Sequence, residues 1–498
     1  MGVVFRQSFK GTVLTYLGAV IGFVTQFFIV TKFLDPEVIG LTKVFYEVGA
    51  LCASFALLGV SASGMRFFPY FKDEKTGNHG FFFYFICIPA IGSVLVCLTY
   101  LLCKEPVLQF FGTKSELFAR YFHLVVPLIF ILTFWLAMEH YSNINMRIAF
   151  PKGVREVGLR VFLVADYLLY ASGLIGLDGL MIALLASYAL CLLLDFAYVG
   201  RTSSISLRHD NSFITPELKG RFLRYTAFLV LSAVCGNIMN QLDIFMLSSV
   251  KGLYSAGVYT IAFYMANVID MPSRSITAIS TPLAADALKR GDFETANDLY
   301  RKVSVHQLMI SGFLLLLIWI NIDSIFEVLP NGEKFAEGKY VVLFLGLSKL
   351  IATTLNFGSI LIQFSRYYYW TLFITLLLTV LTIGTNLLFI PLLGISGAAL
   401  ATLITSVISF SYQQFLVQRK VHGNPFSKGT LKVLALLLCL YGLNLLIPGL
   451  GHISVWLDIA VRTSVIGAAG ITAIYLLRIS AEFNATVDKY LRKHQENE

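Results

Sequence analysis

Lys43 and Glu47 lie four residues apart in one apolar stretch of the chain, and Asp270 and Arg274 repeat that spacing in another, "YMANVIDMPSRSITAIS" at 264–280. On a helix, residues four apart share a face, so each pair brings opposite charges together. Glu139 with His140, Asp166, Asp243, Lys349 and Arg462 also sit in apolar surroundings, and Arg66 lies near the end of the stretch that holds Lys43. A charge at the centre of a bilayer costs at least about 2.5–3.5 kcal/mol on insertion scales, so such a group faces a partner or a water-filled cavity. Each pair therefore either neutralises itself or lines a polar interior. Pro272, between Asp270 and Arg274, adds weight to the second reading. It lacks an N–H and clashes with the carbonyl four residues back, and the freed backbone groups need a neighbouring helix or water to satisfy them.

The elements that must carry these groups are membrane helices. The chain has 498 residues, of which 57% are apolar and 13% charged, and its mean hydropathy is +0.75. Ordinary globular proteins are about 25% charged. Apolar runs of about 20 residues, the length needed to span a hydrocarbon core of about 30 Å, recur along the chain. They number about fourteen. The first six are 11–34, 40–66, 80–103, 121–143, 159–176 and 179–199; the next six are 224–248, 255–279, 304–322, 341–363, 368–391 and 395–417; the last two are 431–449 and 455–478. The expected fold is an all-α polytopic membrane protein.

Lys and Arg placement sets the expected orientation, because cytoplasmic loops keep positive charge. Arg147, Lys152, Arg155, Arg160, Arg201, Lys289, Arg290, Arg366, Arg419 and Lys420 fall on one set of alternate loops, whereas the other set holds few cations, among them Lys104, Lys114 and Arg120. Both termini are expected in the cytoplasm. The net charge of +9 is accounted for by this asymmetry, so no nucleic-acid partner is expected.

A weak repeat runs through the chain. "LIGLDGL" at 174–180 and "LLGISGA" at 392–398 align Gly176 with Gly394 and Gly179 with Gly397, an offset of 218 residues. That offset spans six helices. Two lobes of parallel topology, related by a pseudo-two-fold axis along the membrane normal, are then expected: 1–210 and 211–424, followed by two C-terminal helices and a tail at 425–498.

Other groups carry less chemistry. The seven cysteines form no CxxC pair and read as small apolar packing residues. His306 reads as interfacial, Asn143 and Asn145 as helix caps, and Asp195 and Arg201 as groups at the water-facing rim. There is no GxxxxGK[ST] phosphate loop and no HExxH, so neither nucleotide hydrolysis nor any other enzymatic activity is expected.

Three stretches resemble a known family. The opening "FKGTVLTYLGAVIGFVTQFFIVTKFLDPEVIGLTKVF" carries an L-x-P-E-x-x-G element at Leu34, Pro36, Glu37 and Gly40. The middle, from Asp243 through a G-x-Y at Gly257 and Tyr259 to Pro282, and the later I-P-x-x-G-x-x-G-A-A-x-A-T at Ile390–Thr402 complete the likeness. They are similar to the Wzx-type flippases of lipid-linked oligosaccharides, in the superfamily that also holds multidrug extruders and the lipid II flippase.

The resemblance implies two bundles around a cationic cavity and alternating access across the bacterial inner membrane. The implied cargo is an oligosaccharide on undecaprenyl diphosphate. Lys43, Arg66, Arg274 and Lys349 would be the cavity cations that hold the diphosphate, with Lys at 43 and 349 in place of a bidentate Arg. Glu47, Asp243 and Asp270 are candidates for coupling to protons or monovalent cations. Besides the lipid-linked cargo, the expected partners are membrane lipid and other polysaccharide-assembly proteins, with the chain itself a monomer and no cofactor bound. The alternatives are a multidrug extruder and a polysaccharide polymerase or ligase; the latter usually needs a long outer loop, and none is evident here.

Overall fold

The computed structural model describes residues 2–73, 78–111, 115–203, 220, 241–367, 369–449, 453–479, 484–485 and 488. The protein is an all-α polytopic membrane protein, and among the described residues eleven helices are long and apolar enough to cross a membrane. By compactness the chain divides into Met1–Thr260 and Ile261–Glu498. The boundary expected at 210/211 lies outside the described residues, as does most of the seventh expected span, 224–240.

In the first unit, α1 (Gly2–Val24) continues through a π-helical turn, and α2 (Pro36–Ala56) begins with proline where the missing N–H costs no hydrogen bond. The second span, expected as one helix over 40–66, is broken. Leu58 and Gly59 adopt positive φ, and a new helix α3 (Val60–Phe71) starts beyond them, which puts Arg66 on a different helix from Lys43. Helices α4 (Phe81–Leu102), α5 (Val125–Ile144), α6 (Leu159–Ala171) and α7 (Leu177–Thr202) complete the described bundle. Helix α5 packs against α2, α4 and α7. Phe68, Phe81, Phe82, Phe85, Met138 and Tyr141 fill one part of the core, where Phe82 and Phe85 meet the Tyr141 ring edge-on.

The fifth and eighth spans are interrupted, so neither has an unbroken apolar helix of spanning length. A π-helical turn at Val154–Gly158 precedes α6, and a 3-10 turn at Val268–Asp270 separates α8 (Leu253–Asn267) from α9 (Met271–Lys289). The second unit then holds α10 (Phe293–Ile320), α11 (Lys339–Leu355), α12 (Phe357–Phe364), α13 (Trp370–Leu393), α14 (Ile395–Val421), α15 (Lys428–Leu445) and α16 (Val455–Leu476). Asn356 divides the expected tenth span into α11 and α12. The last two helices are fastened to the unit by polar groups. Arg462 Nε bonds both Asp458 oxygens at 3.0 Å and its Nη1 bonds Asn444 at 2.9 Å, while Ser324 donates to Asp458 at 3.1 Å.

The motif glycines are explained by close approach. Within the first unit, a Cβ on Gly40 would collide with the Leu253 carbonyl, and one on Gly257 would collide with the Pro36 carbonyl. The contact is reciprocal, because each glycine meets the carbonyl four residues before the other, and the two segments are offset by 217 residues (36 to 253, 40 to 257). Gly176 and Gly394 likewise occupy one structural position, the residue before α7 and the residue before α14. Gly394 holds φ +60°, a conformation that a side chain would strain.

Candidate functional site

The ionisable groups fall into two sets, one in each unit. In the first, Lys43 Nζ and Glu47 Oε1 are 2.5 Å apart on one face of α2, with only 14% and 12% of their side chains exposed. Tyr46, three residues after Lys43, stacks on Tyr188 of α7 with ring centres 5.6 Å apart, and Tyr188 in turn lies 6.4 Å from Trp135 of α5. Trp135 donates its indole N–H to Asp195 Oδ2 at 2.8 Å. One turn along α5, Glu139 binds Arg155 at 2.9 and 3.1 Å. Arg155 also faces Glu156, and Glu156 pairs with Arg160 at 3.3 Å. Asp166 accepts from Ser187 at 2.7 Å, and Asp243 accepts from Tyr259, the tyrosine of the G-x-Y motif, at 2.8 Å.

Asp195 is placed differently from the sequence expectation. It is fully buried instead of lying at a wet rim. The reason is the indole of Trp135, sixty residues away in sequence, which supplies a hydrogen bond inside the bundle. Arg120, an exception to the charge rule, also has a local account: its guanidinium meets Asp178 at 2.6 Å, and Tyr121 donates to the same carboxylate at 2.6 Å.

In the second unit the broken helix presents its charges more openly. Met271 opens α9 and Pro272 sits in the first turn, where it needs no N–H partner. The carbonyl of Ile269 accepts from Ser311 on α10 at 3.2 Å, and that of Asp270 accepts from Ser273 at 2.9 Å. Neighbouring hydroxyls thus satisfy the backbone that the break exposes. Ser273 also donates to the Asp270 carboxylate at 3.0 Å. Arg274 lies 3.6 Å from Asp270 Oδ2, outside direct hydrogen-bond range, and 66% of its side chain is exposed. Lys349 on α11 is half-buried, with Nζ 5.7 Å from the centre of the Phe263 ring. Arg66, in the first unit, is exposed on α3.

By sequence, no family model and no curated protein matches the chain. By structure the likeness is broad. The lipid II flippase MurJ, in an inward closed conformation, superposes with a TM-score of 0.69 at 13% identity, over 92% of this chain and 98% of that one. A multidrug resistance MATE family transporter of the MOP superfamily, inward-facing, gives 0.60 at 17% identity over 82% and 94%. A MOP superfamily transporter from Pyrococcus furiosus, described as having a binding pocket of reversed polarity, gives 0.53 at 16% over 85% and 96%. The fold is similar to that of MurJ and the MATE transporter.

On this fold, the pairs Lys43–Glu47 and Asp270–Arg274 form as their spacing predicts. The groups that spacing missed are the long-range ones: Trp135 with Asp195, Glu139 with Arg155, and Ser311 with the Ile269 carbonyl. The only local signal for them was an ionisable or hydroxyl residue in an apolar run.

Proposed function

We propose that this chain is a flippase that moves an oligosaccharide on undecaprenyl diphosphate across the bacterial inner membrane by alternating access. The observation that carries the proposal is Arg274, an exposed guanidinium on a broken membrane helix, held by a carboxylate too distant for a direct hydrogen bond. A diphosphate headgroup cannot enter hydrocarbon without losing its hydrogen bonds to water. A guanidinium offers a planar fork of donors that matches phosphate geometry, so Arg274 takes the diphosphate, with Asp270 as its partner between substrates. Arg66 and Lys349 supply further positive charge. Lys43 does so once Glu47 releases it, and Glu47, Asp243 and Asp270 are the candidate coupling carboxylates. The MurJ and MATE folds support a transporter or flippase in this role.

Export of the lipid-linked saccharide by reconstituted vesicles tests the reading, scored as headgroup exposed to an outside probe. Arg274→Ala should lose export while inserting normally, and Arg274→Lys should keep part of it; undiminished export by Arg274→Ala removes the proposal's foundation. The MATE fold gives a second reading, a multidrug extruder of the same superfamily. It requires that an organic cation, and no lipid-linked saccharide, be carried by the same vesicles.

A further inference from the structure

Asp195 is a fully buried carboxyl group in α7 that plays no part in the proposed handling of the headgroup. Oδ2 accepts one hydrogen bond, from the neutral indole of Trp135, and Oδ1 is buried with no hydrogen-bond partner. Each element packed against α7 adds its own charges. Helix α5 brings Glu139, the π-helical turn brings Arg155 and Glu156, and the segment before it brings Lys152 near Glu139. Helix α6 brings Asp166, which is bound to Ser187 two turns away along α7, and α7 itself brings Cys191. Among the described residues, the cation in electrostatic reach of Asp195 is Arg155, and it is engaged by Glu139 at 2.9 Å and by Glu156 at 3.6 Å. An ionised Asp195 would carry a full charge into the bundle against one neutral donor, the arrangement that burial penalises most. A carboxylic acid carries none, and its hydroxyl can sit at Oδ1.

We infer that Asp195 is a proton-binding site, occupied by a proton in this conformation, with Trp135 fixing its carbonyl oxygen and Arg155 as the counter-charge to the carboxylate that release leaves behind. A sodium ion is the other candidate for a buried carboxylate. Hard cations need several oxygen ligands, whereas Oδ2 meets an indole N–H and Oδ1 has no hydrogen-bond partner. Release of the proton to water leaves a carboxylate, and Arg155 is placed to answer it. Its side chain is 43% exposed and it rides on a π-helical turn, a feature frequent at functional sites. Exchange of Arg155 from Glu139 to Asp195 would shift α5 against α7. Trp135, tilted against Tyr188, and the Tyr188–Tyr46 stack connect that junction to the turn of α2 holding Lys43 and Glu47. The coupling role rests on the transporter reading; the proton site does not.

The test needs no substrate. Full-length protein in lipid nanodiscs is examined by infrared spectroscopy at neutral and alkaline pH, and the spectrum of Asp195→Asn is subtracted from that of the wild type. Asparagine keeps an acceptor for Trp135, so this variant should fold. The neutral-pH difference should contain the C=O band of one protonated carboxyl, and that band should convert to a carboxylate band as pH rises. Glu139→Gln and Asp166→Asn should both retain it. Trp135 fluorescence should titrate over the same range in the wild type and lose that titration in Asp195→Asn, and Trp135→Phe should move the titration of the carboxyl band. A neutral-pH difference showing a carboxylate in place of the acid overturns the inference. So does Trp135 fluorescence that responds to Na⁺ at fixed pH. Failure of saccharide export with the acid band present would count against the flippase reading alone.

Discussion

Lys43, Glu47, Glu139 and Asp195 in the first unit are enclosed, whereas Arg274 at the helix break of the second is presented. Lys43 and Glu47 are almost covered and touch each other directly, Glu139 holds Arg155 by both oxygens, and Asp195 is wholly buried. Asp270 and Arg274 share the same four-residue spacing as Lys43 and Glu47, yet Arg274 stands largely in the open and does not reach its partner directly. Identical spacing has therefore produced two different objects. Breaking a buried ion pair by removing one partner costs about 3–5 kcal/mol, because the other charge is stranded. An exposed pair contributes about 0–1 kcal/mol. A ligand can thus recruit Arg274 at little cost, whereas Lys43 becomes available only when something compensates Glu47.

The largest expected effect follows from that asymmetry. Lys43→Ala strands Glu47 and should destabilise the protein by about 3–5 kcal/mol. The double substitution Lys43→Ala with Glu47→Ala should recover most of the loss. Thermal unfolding in detergent, run as a double-mutant cycle, checks both values. Additive losses would mean that the pair is not coupled and that the contrast between the units is false.

Arg274→Ala should do the reverse. Its stability should change by less than about 1 kcal/mol, while export of the saccharide should fall roughly ten- to a hundredfold, the equivalent of one or two hydrogen bonds to a charged group. The two readouts are made on the same purified protein. A large loss of stability with transport intact would place Arg274 with the enclosed charges.

How much of this was legible in the sequence follows from the range of each interaction. Lys43–Glu47 and Asp270–Arg274 need only helical periodicity, and the polytopic all-α fold needs only apolar run length; of about fourteen expected spans, eleven stand among the described residues. The break at Leu58 and Gly59 was harder, because its one mark is a glycine, a residue also common inside membrane helices, and Arg66 was assigned to the wrong helix as a result. Asp195 was misplaced for another reason. Its partner Trp135 lies on a separate helix, and only packing of α5 on α7 brings the indole to it. The motif glycines Gly40 and Gly257 were visible as motifs, but their purpose, admitting each other's carbonyls, was not.

Between the two extremes lies the helix break that presents Arg274. Ser311→Ala leaves the buried Ile269 carbonyl without its hydroxyl donor and should cost about 1–3 kcal/mol, the penalty for an unsatisfied buried polar group. Ser311→Thr keeps the donor and should recover much of it. Thermal unfolding separates the two. Equal stability of Ser311→Ala and wild type would show that the break needs no support from α10.

The smallest effect is expected at Lys349, which tests whether the second unit's openness extends beyond Arg274. Its ammonium lies beside the Phe263 ring, a contact worth about 0.5–1 kcal/mol at exposed sites and about 2 or more when desolvated. Lys349→Met keeps the apolar stem and removes the charge, so a half-exposed cation should show a loss near the lower figure. If Lys349 belonged with the enclosed charges, the loss should reach the higher figure. The size of that loss decides which set Lys349 joins. A small loss accompanied by weaker export would place it beside Arg274 as a second cation available to the diphosphate, and a large loss with export unchanged would remove it from the site.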